Sequence, residues 1–257
     1  MIIVTGATQG IGRACVEQLA ASGRPVLATG RDRDAGAELA RLPGVRFVVG
    51  DVADPADIER IVAAAMAAGE GRLTGLVNNA GMGRRQPFLE AELADWEQVM
   101  AVNARSAFLF MRLALPGLIA GRGSVVSISS VAGRQGEEGL AVYCASKAAL
   151  IGLTQALALE HGEHVRFNAV CPGQIATQMM GRVLADPARR AALEARIPAA
   201  RLGEAGDVAE LVCWLLSDAS RYVNGAVITV DGGETAGLRT PRFAAAGQPG
   251  AGLPPGA

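Results

Sequence analysis

Short runs of β-branched and other apolar residues alternate along this chain with longer Ala/Leu-rich segments whose apolar positions recur at helical spacing. The runs at 2–5, 25–29, 45–49, 73–77, 123–128, 165–170 and 226–230 predict strands, and the segments at 11–22, 33–42, 55–68, 92–119, 142–161 and 206–217 predict helices. Strict interleaving of the two predicts an α/β class chain, a doubly wound parallel sheet of about seven strands with helices on both faces. Ligands of such sheets bind in the crevice beyond the carboxyl ends of the strands, so candidate chemistry is sought there.

Two stretches break the rhythm. Residues 174–205 are too long and too mixed for a simple crossover and predict a helical flap over the crevice. Residues 238–257 carry four prolines and four glycines in twenty positions without periodicity. That composition predicts a mostly disordered tail, with folding across a neighbouring subunit as the alternative. The expected organisation is one domain over 1–237 followed by the tail.

Composition narrows the function classes. A net charge of −1, with no basic stripe, argues against nucleic acid as a partner. Cys15, Cys144, Cys171 and Cys213 are isolated, and the two histidines, His161 and His164, are near neighbours, which argues against a zinc site or a disulfide framework. Free thiols fit a reducing, cytoplasmic compartment. Met1 leads straight into Ile2-Ile3-Val4 with no leader pattern, and no apolar run approaches the ~18 residues of a membrane span, so no membrane partner is expected. One count is unusual: of 24 basic side chains all but one are arginine, and the sole lysine is Lys147.

Thr5-Gly6-Ala7-Thr8-Gln9-Gly10-Ile11-Gly12 lies between the first predicted strand and helix. Glycines there let the backbone turn tightly and approach a pyrophosphate, which unpaired N–H groups at the helix start attract. A triphosphate-binding loop is excluded because no Gly-Lys-Ser/Thr follows. At the end of the second strand, Ala28-Thr29-Gly30-Arg31-Asp32, the slot where an NAD-binding sheet places a carboxylate is read as Thr29, and Arg31 follows within reach of a 2′-phosphate. This favours NADP(H) over NAD(H), although Asp32 beside it counts the other way.

The sharpest signal is Tyr143-Cys144-Ala145-Ser146-Lys147, which puts a phenol and an ammonium on one helical face. A tyrosine, with an ordinary pKa of ~10, must drop about 3 units to act as a base near neutrality, about 4 kcal/mol. A unit positive charge ~4 Å away at an effective dielectric of ~20 supplies about that much. Upstream, Ser130 ends the strand Val125–Ser130, where a hydroxyl can bond a substrate oxygen; Ser129 competes for the role. Asn103, inside an apolar helix, needs hydrogen-bond partners, and it could bend the helix and hold a water that connects to Lys147.

Taken in order, the glycine turn at 5–12, Asn78-Asn79-Ala80-Gly81, Asn103, Ser130, Tyr143 with Lys147, Asn168, Pro172-Gly173 and Asp231-Gly232-Gly233 resemble the short-chain dehydrogenase/reductase family. The resemblance covers 1–237 and implies a Rossmann fold. It also implies a tetrad: Tyr143 as acid/base, Ser130 polarising the substrate oxygen, Lys147 holding the nicotinamide ribose and lowering the tyrosine pKa, Asn103 supporting a relay water. It assigns the pyrophosphate to Gly6, Thr8, Gln9, Gly10, Ile11 and Gly12, the adenine to Asp51 and Val52, and the length of the cofactor to Asn79, Ala80 and Gly81. Pro172, Gly173, Ile175 and Thr177 match the segment that receives the nicotinamide carboxamide. The connection 160–165 is about a residue shorter than the family pattern, which alters a loop and leaves the tetrad intact. Family members pair through the helices bearing Asn103 and Tyr143, and the apolar run 148–159 fits a dimer or tetramer, tetramer preferred.

The reading is therefore an NADP(H)-dependent oxidoreductase moving hydride between nicotinamide and a carbonyl or secondary alcohol, a ketoreductase, with a 3-oxoacyl substrate suggested by family analogy. An NAD-dependent alcohol dehydrogenase, a non-catalytic dinucleotide sensor, and an epimerase or dehydratase are its rivals. Glu137, Glu138, Arg84, Arg85, Met179 and Met180 surround the expected substrate entrance and leave the substrate open.

Overall fold

A computed structural model describes residues 1–238, with only the backbone at Arg182. Strands β1 (Ile2–Val4), β2 (Val26–Gly30), β3 (Val45–Val49), β4 (Gly75–Asn78), β5 (Ser124–Ile128), β6 (Arg166–Pro172) and β7 (Val227–Val230) form one parallel sheet. Their spatial order is β3-β2-β1-β4-β5-β6-β7. The chain winds outward in one direction from β1 and in the other from β4, so the topological switch point falls between those two strands. All seven predicted strands are present, with ends shifted by about two residues or less.

Helices α1 (Gly10–Ala21), α2 (Arg33–Leu39), α3 (Pro55–Ala68), α4 (Leu93–Met100), α5 (Ser106–Gly121), α6 (Ala141–His161), α7 (Gly181–Leu184), α8 (Pro187–Arg196) and α9 (Ala205–Leu215) complete the domain. Strand parity divides the core. Ile2 and Val4 point to a layer with Cys15, Leu19, Val208 and Val212 of α1 and α9. Ile3 and Leu27 point to the other, with Ile61 of α3, Phe110 and Ala114 of α5 and Leu150 of α6. Because both faces are covered, β1, β2, β4 and β5 are buried at every position, which is why they read as continuous apolar runs.

Side-chain caps fix several helix starts. Asp32 accepts from the N–H groups of Asp34 and Ala35, both at 3.0 Å, and Asp54 and Asp186 precede Pro55 and Pro187 in the same role. Glu92 with Asp95, and Glu204 with Asp207, form reciprocal capping boxes. Each such cap is worth about 1 kcal/mol.

The predicted helix 92–119 is not continuous. A π-helical turn, Ala101–Arg105, separates α4 from α5 and carries Asn103 inward. The Ser106 hydroxyl donates to the Val102 carbonyl at 2.6 Å, satisfying an acceptor that the widened turn releases. Within 174–205, α7 and α8 follow a bridge between Ile175 and Gly203. Two helical stretches, Leu93–Gly121 and Ala141–His161, do reach the length and apolarity of a membrane span, contrary to the expectation from sequence. Part of each is buried against the core, and they bear Asn103 and Tyr143. The predicted tail lies outside the described residues, apart from Leu238.

Phe110, almost wholly enclosed between α5 and the sheet, tests this packing. Phe110→Ala is expected to cost about 3–5 kcal/mol, read as a lowered urea midpoint.

Candidate active site

The crevice begins where β1 turns into α1. Gly6 adopts φ +60°, and a Cβ on it would lie 2.8 Å from the Ala80 Cα. A Cβ on Gly12 would lie 2.3 Å from the Gly6 carbonyl oxygen, so only glycine lets α1 sit down on the turn. Thr5 and Asn79 stitch the turn to β4. The Thr5 hydroxyl accepts from Asn79 and Ala80 N–H at 3.0 Å each, and Asn79 Nδ2 donates to the carbonyls of Thr5 and Gly6 at 2.9 and 3.1 Å. Gln9 precedes α1 without capping it, and the first turn contains no acidic residue. Thr8, Gly10 and Ile11 complete this glycine-lined helix start, which fits a pyrophosphate by backbone approach and by dipole.

The adenosine end requires a correction. Thr29 is fully buried and its hydroxyl has no partner, so its side chain does not face the crevice. Parity puts the neighbouring position there: a Cβ on Gly30 would lie 2.8 Å from Thr8 Cγ2. The crevice side of this strand end is thus Gly30, where no side chain projects. Asp32, which had counted towards NAD, spends its carboxylate on the start of α2. Arg31 is 80% exposed and 3.9 Å from Asp51, whose carboxylate also accepts from Ala53 N–H. Val52 is buried beside it.

The chemical corner lies across the switch point. Ser129 and Ser130 are distinguished by the structure: the buried Ser129 hydroxyl donates to the Lys147 carbonyl at 2.8 Å, whereas the Ser130 hydroxyl acts on the Tyr143 phenol, pulling its pKa down. Ser130 also caps the short 3₁₀ turn Val131–Gly133, accepting from Ala132 N–H at 3.1 Å. Lys147 Nζ donates to the Ile128 carbonyl at 2.8 Å and lies 5.7 Å from the centroid of the Tyr143 ring. A Cβ on Gly81 would stand 3.2 Å from that Nζ and 3.5 Å from Asn103 Oδ1, so Gly81 leaves room where these groups meet.

Asn103 is satisfied by protein alone at its amide. Oδ1 accepts from Met82 N–H at 2.8 Å, and Nδ2 donates to the Met82 carbonyl at 2.8 Å and to Ser146 Oγ at 2.9 Å. Its side chain therefore positions the Gly81–Met82 segment of the site. Ser146, which sequence reasoning passed over, joins Asn103 to the Tyr143 carbonyl with a 2.7 Å bond. Its place between Tyr143 and Lys147 was the available signal.

Electrostatics also depart from expectation. Burial pushes the Tyr143 phenol up, the Ser130 hydrogen bond pulls it partly back, and the Glu137 carboxylate raises it further. The Lys147 ammonium is pushed down from 10.5 to about 8 because desolvation outweighs every nearby favourable interaction. In the protein alone, therefore, Lys147 does not bring the phenol towards neutrality, since the loss of water acts on both groups against their charged forms.

Pro172 ends β6 and the Gly173 N–H donates to the Val230 carbonyl at 2.9 Å. Ile175 is buried, and Thr177 reaches back over the glycine turn, its Cγ2 3.2 Å from a Cβ built on Gly10. Arg84 pairs with Asp95, and Arg85 with Glu137 and the Glu138 carbonyl, so these rim charges are engaged within the protein. Met179 is exposed at the foot of the flap. No cluster of potential metal ligands occurs among the described residues.

A parallel sheet with a glycine-lined switch point and a gathered Ser-Tyr-Lys corner defines a nicotinamide-dependent oxidoreductase. The family model described as "Enoyl-(Acyl carrier protein) reductase" matches residues 6–235. The chain belongs to the short-chain dehydrogenase/reductase family and is an NAD(P)-dependent oxidoreductase acting on CH–OH and C=O groups. It is 43% identical over 187 residues, 69% of this chain and 81% of the relative, to the inactive 2-(S)-hydroxypropyl-CoM dehydrogenase 2 of Xanthobacter autotrophicus. It is 39% identical to the 3-oxoacyl-[acyl-carrier-protein] reductase FabG of Thermotoga maritima, over 90% of this chain and 96% of that protein. A crystal structure of a short-chain dehydrogenase/reductase, glucose/ribitol dehydrogenase, from Brucella melitensis superposes with a TM-score of 0.86 at 33% identity, covering 91% of this chain and 95% of that one.

Lys147 gives a pH test. Unfolded, it titrates near 10.5; folded, near 8, so between those values the unfolded chain holds more protons. The burial penalty is fully present below about pH 8 and fades as pH rises, a recovery of about 3 kcal/mol. Urea unfolding of wild type against Lys147→Met is expected to show the wild type gaining on the variant from about pH 8 to about pH 10; a flat difference contradicts the assignment.

Proposed function

We propose that this chain is an NADP(H)-dependent carbonyl reductase of the ketoreductase type. The observation that carries the chemistry is the gathering of Ser130, Tyr143, Lys147 and the Asn103–Ser146 link at one corner of the crevice. When bound, the dihydronicotinamide supplies the hydride that the carbonyl carbon accepts. Ser130 and Tyr143 both hydrogen-bond the substrate oxygen, and the Tyr143 proton passes to that oxygen as negative charge develops on it, giving the alcohol. With its pKa raised, Tyr143 carries the proton that the reductive direction requires. Lys147 would hold the cofactor's ribose through its ammonium and offset the phenolate charge left on Tyr143. The relative carrying "inactive" in its name raises the question of a silent site, and the intact tetrad here argues for turnover.

The preference for NADP(H) rests on three features: no side chain at Gly30, Asp32 committed to α2, and the exposed Arg31 guanidinium at the strand end. NAD(H) remains the alternative. We further propose a single domain over 1–237, a cytoplasmic location and a homotetramer or dimer. Exposed Phe108 and Leu159, on α5 and α6, support self-association.

Turnover followed by cofactor absorbance with NADPH and NADH tests the reading. NADPH is expected to give the higher kcat/KM, and Arg31→Ala to lower it about 10-fold or more with NADPH while sparing NADH. A clear NADH preference in the wild type would sink the cofactor argument. Tyr143→Phe is expected to abolish turnover with cofactor binding kept, and Lys147→Arg to lose most activity because the broader guanidinium does not fit the lysine's place.

A further inference from the structure

Between β4 and α4 runs a segment without regular structure, 81–87, which turns alternately to two neighbours. Arg84 and Gln86 both reach Asp95 of α4, the Gln86 amide at 2.9 Å. Gly83 and Arg85 turn the other way. A Cβ on Gly83 would lie 3.4 Å from Tyr143 Cδ2 and 3.6 Å from Cε2, so the backbone here lies against the ring of the proton donor. Arg85 crosses to the loop that leads into α6, where its guanidinium donates to the Glu137 carboxylate and to the Glu138 carbonyl.

Both backbones accommodate the crossing. The Gln86 N–H donates to the Gly139 carbonyl at 2.9 Å. Gly139 has φ +74°, and a Cβ there would lie 3.1 Å from Arg85 Cγ, so glycine leaves the path that the arginine stem takes. The loop is then joined to the helix. Leu140 N–H donates to the Glu137 carbonyl at 3.1 Å, and the Leu140 carbonyl accepts from Cys144 N–H at 2.8 Å, in the first turn of α6 beside Tyr143. An exposed ion pair contributes little to folding, so the significance of Arg85 lies in where it reaches.

We infer that Arg85 is a positioning residue for Tyr143, one that holds the 81–87 segment over the phenol ring and keeps the neighbouring Glu137 carboxylate neutralised. This rests on the carbonyl reductase reading for what the phenol does, and it adds a residue outside the tetrad that governs the phenol's proton. The Glu137 charge disfavours the phenolate even with Arg85 in place, and an unpaired carboxylate would do so more strongly. The other groups facing this corner are few. Ser130 and the Cys144 thiol act on the phenol directly, and Lys147 stands beside its ring. Among the elements packed on α6, α4 brings Asp95, engaged by Arg84, and the exposed Glu97. The π turn brings Arg105, bonded to the Ala53 carbonyl. From β6 come Cys171, which faces Lys147, and Arg166 at the far end of the strand, while Arg134 after the 3₁₀ turn is bonded to Thr229. Beyond Glu137 stands Glu234, itself paired with Arg196.

The scarcity of tyrosine allows a direct reading. The chain has two, and the other, Tyr222, is fully exposed. Tyr222→Phe protein grown on 3-fluorotyrosine carries a single fluorotyrosine, at position 143, and fluorination brings the phenol's ionisation into milder alkali. Its fluorine NMR resonance is followed against pH in the cofactor-free protein. Arg85→Gln is expected to raise the midpoint by about half a pH unit to one unit, and Glu137→Gln to lower it by a similar amount. Arg85→Lys, which keeps the charge, is expected to stay near the parent value, and Arg85→Gln combined with Glu137→Gln to fall below Arg85→Gln alone. An Arg85→Gln midpoint that does not rise, or a Glu137→Gln midpoint that does not fall, overturns the inference; so does the absence of titration in Glu137→Gln before it unfolds. The readout needs no turnover. These shifts in a protein that reduces no carbonyl compound would keep the role of Arg85 and count against the reductase reading, and their absence in a protein that does reduce carbonyls would remove the role and leave that reading intact.

Discussion

The site depends on one reciprocal clasp between a helix and a strand. Lys147 Nζ donates to the Ile128 carbonyl at the end of β5, and the Ser129 hydroxyl, one residue on, donates to the Lys147 carbonyl. Two bonds in opposite senses fix both the height of α6 along β5 and its rotation about its own axis. Only with both set does Tyr143, one helical turn earlier, meet Ser130. Gly133 allows the approach, since a Cβ there would lie 2.7 Å from Ser129 Oγ and 2.8 Å from the Lys147 carbonyl carbon. Ser129 is therefore not an idle neighbour of Ser130. The pair divides the work, one side chain turned inward to hold the helix and the next turned outward to the crevice, as strand alternation requires.

Burying this clasp has an electrostatic consequence. An ammonium whose partner is a neutral carbonyl is poorly compensated, and its pKa falls to about 8; the phenol beside it rises for the same reason. The two shifts favour an uncharged pair, tyrosine protonated and lysine close to losing its proton. Coulomb attraction between phenolate and ammonium, judged from spacing alone, misses the larger cost of removing each from water. The corner is thus set to give a proton to an alkoxide-like oxygen, and the Ser130 hydrogen bond is the interaction that offsets part of the rise on the phenol.

Most of the fold was legible because it is written in local pattern. Strands buried on both faces give unbroken apolar runs, and helices between them give a 3.6-residue period, so order and class follow without tertiary information. The gathering of Ser130, Tyr143 and Lys147 was legible for a related reason: Tyr143 and Lys147 share a helical face, and Ser130 ends a strand. What escaped was decided by non-local packing or by a shift of one position. The burial of Thr29 was not legible, because one step of strand parity exchanges a buried hydroxyl for the open Gly30. A bend at Asn103 was open to the sequence, but not its form as a π turn at 101–105, where the two bonds between Asn103 and Met82 reach across the fold.

The arginine-rich composition acquires its meaning from the same clasp. Elsewhere the basic side chains work at the surface or at its edge, where a broad, forked cation is acceptable: Arg13 bridges Glu17 and Glu38, and Arg201 reaches both oxygens of Asp207. Lys147 is enclosed, and its Nζ has Ile128 on one side and Gly81 within a methyl's reach on the other. A guanidinium there would need space for a planar fork and partners for five N–H donors, and it could not shed its proton to escape the desolvation that the lysine partly relieves at about pH 8. The position demands a compact cation with a movable pKa, and among the basic side chains that is lysine.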